Sequence, residues 1–241
     1  MTRPIYAIGD IHGQRSMLED TLALIEADGG PEAPVVFLGD YIDRGPDSRG
    51  VLDLLSSGLA EGRNWTCLKG NHDRLMEWYL NTPPVHDPYL LVGFDWMHER
   101  IGGRETAASY GVTEITGRRM FDLADELRET VPDAHQRFLR HLQLSHRAGG
   151  LFFAHAGIRP GVPLDAQTET DLLWIRQEFH DDPRDHGALI VHGHTPVQSA
   201  EHHGNRVNLD SGAGYGRPIT AAVFEAGKVW ELGAQGRVAL G

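Results

Sequence analysis

Two observations predict an α/β fold. Short apolar runs of strand character alternate with amphipathic helical stretches through the first seventy residues. Each run then leads directly into a glycine-bracketed cluster of Asp, Asn or His. Open α/β sheets bind their ligands in the crevice beyond the carboxyl ends of the strands, so pattern and chemistry agree.

Ile5-Tyr6-Ala7-Ile8 is the first strand and ends at Gly9. Met17, Leu18, Thr21, Leu22 and Ile25 then recur at helical spacing, and Gly29-Gly30-Pro31 stops that helix. Val35-Val36-Phe37-Leu38 is apolar throughout, as a strand covered on both faces requires. Pro46-Asp47-Ser48 opens a second helix with its apolar side at Val51, Leu52, Leu54 and Leu55, and Trp65-Thr66-Cys67-Leu68 is the third strand. Leu75 to Leu80 reads as a helix stopped near Pro83-Pro84, and Phe121 to Leu144 as helix with a break or start at Pro132. Residues 75–148 are therefore expected to form a helical insertion over one end of the sheet. The strand layout returns where Leu151-Phe152-Phe153-Ala154 runs into His155 and Ala188-Leu189-Ile190-Val191 into His192. The tail alternates strands and turns at 206–209, 220–224 and 229–232.

At 241 residues the chain can bury a substantial core, and 40% apolar with 23% charged residues is ordinary globular usage. A formal net charge of −12 argues against a general binder of nucleic acid or anionic membrane. A phosphorylated substrate is still compatible, because bound dications reverse the local field in a cleft. The single cysteine, Cys67, excludes an internal disulfide and sits in an apolar run, where a buried core thiol is expected. With no long apolar span and no signal-peptide core, a soluble cytoplasmic protein is the expectation.

Five motifs carry the chemistry: Gly9-Asp10-Ile11-His12-Gly13, Gly39-Asp40-Tyr41-Ile42-Asp43-Arg44-Gly45, Gly70-Asn71-His72-Asp73, His155-Ala156-Gly157 and His192-Gly193-His194-Thr195. Asp10 and His12 lie two apart on a chain leaving a strand, so both side chains can point one way. Asp40 offers two carboxylate oxygens, Asn71 an amide oxygen, and His155 and His194 further nitrogens, a mixed set suited to two divalent cations. Two such ions would activate a shared water and clamp a phosphoryl group. Taken singly, each residue could equally be a capping Asp or a surface His. Glycines beside the ligands allow sharp turns and close approach. His180, His202 and His203 lie in polar loops and are expected on the solvated surface.

These motifs closely resemble those of the metallophosphoesterase superfamily, in particular its phosphoprotein-phosphatase branch of small bacterial type. The resemblance spans nearly the whole chain and includes the later runs Leu172 to Arg176 and Asn208-Leu209-Asp210-Ser211-Gly212-Ala213. It implies a β-sandwich flanked by helices (α-β-β-α) as a single domain over 1–241. It also implies one metal held by Asp10, His12 and Asp40, and a second held by Asp40, Asn71, His155 and His194, with Mn²⁺ leading and Fe²⁺ or Zn²⁺ as alternatives. His72 would be the general acid and Asp43 its orienting carboxylate. Arg44, Arg176 and Asn71 would face the substrate phosphate, and His192 would stand behind the ligands.

The reaction expected is hydrolysis of a phosphate monoester by a metal-bridging hydroxide, most simply that of a Ser/Thr phosphoprotein phosphatase. The substrate would be a phosphorylated protein or a small phosphoester. The sister reading is a diadenosine tetraphosphate hydrolase. Asp73, where protein phosphatases carry Glu, resembles that branch, whereas Asp43 is a carboxylate that symmetrical dinucleotide hydrolases generally lack. A metal-binding module that has lost catalysis is disfavoured because every ligand, the acid and the arginines are present. A nucleic-acid phosphodiesterase is disfavoured by the charge. Within the insertion, Trp96, Arg104 and Tyr110 are candidates for selectivity.

Overall fold

In the computed structural model, which describes residues 3–240, two mixed sheets pack face to face between helices. The N-terminal half runs β1 (Ile5–Ile8), α1 (Arg15–Gly29), β2 (Val35–Phe37), α2 (Ser48–Ala60), β3 (Trp65–Cys67) and α3 (Asn71–Tyr79). Three helices follow: α4 (Gly103–Ser109), α5 (Met120–Thr130) and α6 (Asp133–His141). The second half comprises β4 (Ser145–Ala148), β5 (Leu151–Ala154), α7 (Glu169–Trp174), α8 (Gln177–His180), β6 (Leu189–His192), β7 (Glu201–His202) and β8 (Arg206–Asn208). It closes with β9 (Ala221–Glu225), β10 (Lys228–Gly233) and β11 (Gly236–Ala239).

The first sheet has the order β11-β10-β9-β1-β2-β3 and the second β4-β5-β6-β8-β7. Parallel pairing joins β1 to β2 to β3 in one, and β5 to β6 to β8 in the other. Strand alternation explains the layering. Ala7, Val36, Phe153, Val191, Val207, Ala222 and Phe224 point inward and form the seam between the sheets. Tyr6, Ile8, Val35 and Phe37 point outward and are covered by the apolar faces of α1 and α2, through Leu18, Ile25, Leu52 and Leu55. On the other side Phe152, Ala154 and Ile190 are covered by Leu172, Ile175 and Phe179. This is the α-β-β-α arrangement.

Local chemistry sets the boundaries. Asp47 caps α2 by accepting the Gly50 N–H at 2.8 Å. Val131 precedes Pro132 with φ −75° and ψ 120°, the extended form a following proline enforces, so the expected break separates α5 from α6. The pairs Gly102-Gly103 and Tyr110-Gly111 bound a seven-residue helix, α4. The insertion, however, is not helical to residue 148: Ser145–Ala148 is an antiparallel partner of β5, and the helices end at His141. The tail divides between sheets, β8 pairing with β6 while β9 pairs with β1, which no local pattern could show. Among the described residues, no helix is long and apolar enough to cross a membrane. Cys67 is buried and burial raises its thiol, as expected of a core cysteine.

Phe153 is fully buried in the seam, edge-on to Phe224 with ring centroids 5.9 Å apart. Phe153→Ala is therefore expected to destabilise the fold by about 3–5 kcal/mol, measured by urea unfolding monitored by circular dichroism.

Candidate metal centre

Six parallel strands deliver the site. Asp10 and His12 follow β1, Asp40 follows β2, and Asn71 and His72 open α3 just after β3. From the other sheet His155 follows β5, His194 follows β6 and Asp210 follows β8. The chain turns hard at these points. His12, Asp40, Asp43, Arg44 and His194 all adopt left-handed backbone (φ 47–74°), and Ala226 is the sole other non-glycine to do so among the described residues. Such conformations cost about 1–3 kcal/mol each and gather at functional sites. Glycine supplies room where backbone must pass a ligand. A Cβ on Gly70 would run into the Asp40 carboxylate, and one on Gly193 into that of Asp10.

Two groups of lone-pair atoms, each within 4.8 Å, form around one carboxylate: His12, Asp40 and His72 on one side, Asp40, His155 and His194 on the other. Asp40 Oδ2 lies 3.6 Å from His12 Nε2 and 4.0 Å from His72 Nε2, while Oδ1 lies 3.5 Å from His155 Nε2. The tautomers follow from the second nitrogen of each ring. His12 Nδ1 donates to the Ile42 carbonyl and His155 Nδ1 to that of Leu38, both at 2.9 Å, so each Nε2 carries a lone pair directed inward. Asn71 Oδ1 stands 2.9 Å from His155 Nε2, and His194 Nδ1 3.2 Å from it. His194 Nε2 is buried without a partner.

Electrostatics lead to the same chemistry. Burial pushes the His12, His155 and His194 imidazoles down, so they stand neutral, the form that binds metal. Burial alone would raise Asp40; positive charge on the surrounding His155, His72, His12 and His194 would outweigh that and hold it below the usual carboxylate range. Asp10 is raised by burial and by the neighbouring Asp210 and Asp40; Asp210 is pushed up to about 6, by burial first. A buried carboxylate, Asp40, facing nitrogen lone pairs with Asp10 and Asp210 nearby forms a donor set that divalent cations would satisfy.

Each expected residue can now be placed. Asp10 lies behind the cluster, accepting the His194 N–H at 3.1 Å. His72 Nδ1 is 2.6 Å from Asp43 Oδ2, which leaves Nε2 toward the cleft. Arg44 donates to both His12 Nε2 (2.9 Å) and His72 Nε2 (3.0 Å), a cation resting against the same lone pairs. Arg176 reaches Thr195 Oγ1 at 3.0 Å and stands beside His194. His192 turns away from the cluster, packed edge-on against Phe179 with Nδ1 3.1 Å from its neighbour's carbonyl oxygen.

Several expectations change. His180 is not a solvated surface residue: it is half-buried against His192, ring centroids 5.5 Å apart, and burial lowers it to about 4. Arg104 bonds the Met97 carbonyl and Tyr110 is buried against His135, so both are engaged away from the cluster, whereas Trp96 reaches Asp43. Asp73 is fully buried and accepts the N–H groups of Asp40 (2.8 Å), Tyr41 (3.1 Å) and Gly70 (2.8 Å). It props the turn that carries Asp40 and faces no substrate. Asp210 was missed as a site residue; its only signal was membership of the Asn208–Ala213 run.

Comparison with known proteins agrees with this geometry. Residues 3–217 match the calcineurin-like phosphoesterase family, and the chain belongs to it. Enzymes of this family use a dinuclear divalent metal centre, which the His/Asp cluster fits. Among similar proteins, a bis(5'-nucleosyl)-tetraphosphatase PrpE [asymmetrical] from Anoxybacillus flavithermus is 31% identical, over 89% of this chain and 87% of its own length. A serine/threonine-protein phosphatase 1 from Salmonella typhimurium is 30% identical over 91% of each chain. A solved cold-active protein-tyrosine phosphatase from a psychrophilic Shewanella shares the fold, with TM-score 0.62 and 18% identity, covering 100% of this chain and 81% of the other.

Because Asp40 serves both lone-pair groups and Asn71 only one, Asp40→Asn should lower both equivalents of bound Mn²⁺ together. Asn71→Ala should lower one. Plasma mass spectrometry of metal-loaded, desalted protein checks this.

Proposed function

We propose that this protein is a dinuclear-metal phosphoester hydrolase of the Ser/Thr phosphoprotein-phosphatase type. In this reading Asp10, His12 and Asp40 hold one cation, and Asp40, Asn71, His155 and His194 the other. When bound, such ions supply an activated water as nucleophile and a clamp on the phosphoryl oxygens. Arg44 and Arg176, on opposite sides of the cluster, bind the phosphate oxygens through their planar forks, with Asn71 beside them. With Arg44 turned from His72 to the phosphate, His72 Nε2 is free to carry a proton and give it to the departing oxygen, while Asp43 fixes the ring through Nδ1.

The observation that carries the reading is the His72–Asp43 contact of 2.6 Å beside the lone-pair cluster. An alkoxide leaving from a serine or threonine ester is strongly basic and needs a proton in the transition state. A nucleotide leaving from a polyphosphate is a weak base and needs little help. A buried, oriented acid is therefore the equipment of an enzyme that expels alkoxides. Asp73, which pointed the other way in the sequence, carries no weight on substrate, since its carboxylate is committed to backbone N–H groups. The second reading, dinucleoside polyphosphate hydrolysis, is favoured by the tetraphosphatase relative, which matches as much of the chain as the protein phosphatase does.

With Mn²⁺ loaded, kcat/KM should be higher on a phosphothreonine peptide than on diadenosine tetraphosphate; the reverse order would favour the second reading. His72→Ala should lose about 10²–10⁴-fold in kcat on alkyl phosphates and far less on nitrophenyl phosphate, in parallel initial-rate assays.

A further inference from the structure

The segment from Trp96 to Thr106 closes on the Asp43-Arg44 pair from above. Trp96 donates its indole N–H to both Asp43 oxygens at 3.0 Å, and Thr106 donates its hydroxyl to Asp43 Oδ1 at 2.7 Å. The Asp43 N–H is received by Thr106 Oγ1 (2.9 Å) and Ser48 Oγ (3.1 Å), and the Arg44 N–H by the Gly102 carbonyl (3.2 Å). The hydroxyl protons can be assigned. Thr106 has one proton and gives it to the carboxylate, so Ser48, 2.9 Å away, must donate to Thr106.

This grip has a built look from the other side as well. Asp43 and Arg44 hold consecutive left-handed conformations (φ 74° and 67°), which persist only where surroundings over-determine them. Gly102 and Gly103 let the segment come close enough: a Cβ on Gly102 would strike Arg44, and one on Gly103 would strike Trp96. Trp96 and Thr106 are themselves buried, and Tyr79 packs on the indole with centroids 5.0 Å apart. With Oδ1 held by Thr106 and both oxygens receiving the Trp96 indole N–H, Oδ2 is aimed at His72 Nδ1.

We infer that Trp96 and Thr106 are positioning residues for leaving-group protonation: by locking the rotation of the Asp43 carboxylate, they fix the His72 ring so that Nε2 faces the departing oxygen. The inference rests on the acid role proposed above for His72. It assigns part of the insertion to the chemistry itself rather than to substrate access. A small misplacement of a reacting group is costly, so loss of the lock is felt in the step where the proton moves.

The test uses Mn²⁺-loaded full-length protein and a series of phosphate monoesters running from nitrophenyl to alkyl leaving groups. Thr106→Val keeps the shape and deletes the hydroxyl, Thr106→Ser restores it, and Trp96→Phe deletes the indole N–H. Thr106→Val and Trp96→Phe should each lose about tenfold in kcat on alkyl esters and about twofold or less on nitrophenyl phosphate, with KM little changed. The dependence on leaving-group basicity should therefore steepen, and Thr106→Ser should return it toward wild type. A loss equal across the series, a change in KM alone, or no rescue by Thr106→Ser would overturn the inference. His72→Ala in the same series separates the two ideas. If it is leaving-group selective while Thr106→Val and Trp96→Phe are not, only the positioning role fails. If His72→Ala itself loses activity equally across the series, the acid role fails and takes this inference with it.

Discussion

Asp40 presents both carboxylate oxygens to nitrogen lone pairs inside the protein, and the rest of the site is organised around that crowding. His12 and His155 have their protons turned away to backbone carbonyls, so their Nε2 lone pairs, that of His12 met by Arg44, stand beside an anion rather than offering it N–H groups. Asp10 and Asp210 add charge of the same sign nearby. Leaving buried polar groups without complementary partners is among the most expensive things a fold can do. Divalent cations would resolve the conflict, and the surrounding protein keeps the acceptors in place for them.

The construction is shared between the two sheets. Parallel strands from each end at the same rim, so six short strands place six loops around one point, with Asp40 at the centre. Left-handed turns at His12, Asp40, Asp43, Arg44 and His194 aim side chains that an ordinary strand exit would send elsewhere. Asp73 holds the backbone on which Asp40 sits, and α3 starts at Asn71 so that Asn71 and His72 share the first turn. The insertion then grips the Asp43-Arg44 pair. Asp40, the Asp43 carboxylate that meets His72, and Arg44 thus sit on a single turn, fastened from both sides.

Much of this was legible in the sequence because the motifs are local. A strand, a glycine and a ligand lie within a few residues of one another, and apolar periodicity marks α1, α2 and the strands directly. What the sequence concealed was long-range. Nothing near Thr106 signals that its hydroxyl meets Asp43, sixty-three positions earlier. Asp73 looked like a helix-start residue and is one, yet its function lies in backbone N–H groups thirty-two and thirty-three residues away. Polar flanks suggested that His180 was solvated, but α8 folds it back against His192. Ser145–Ala148 reads as the end of the helical insertion because only its pairing with β5 makes it a strand. The substrate was not legible either, since the same metal core serves relatives named for a dinucleotide and for a phosphoprotein.

The most direct test of the account is anomalous diffraction from crystals grown with Mn²⁺, collected on both sides of the manganese edge. Two peaks about 3.5–4 Å apart are expected, with the Asp40 carboxylate shared between them, Asp10 and His12 on one ion and Asn71, His155 and His194 on the other. A single peak, or two ions that do not share Asp40, would contradict the claim that this carboxylate organises the site.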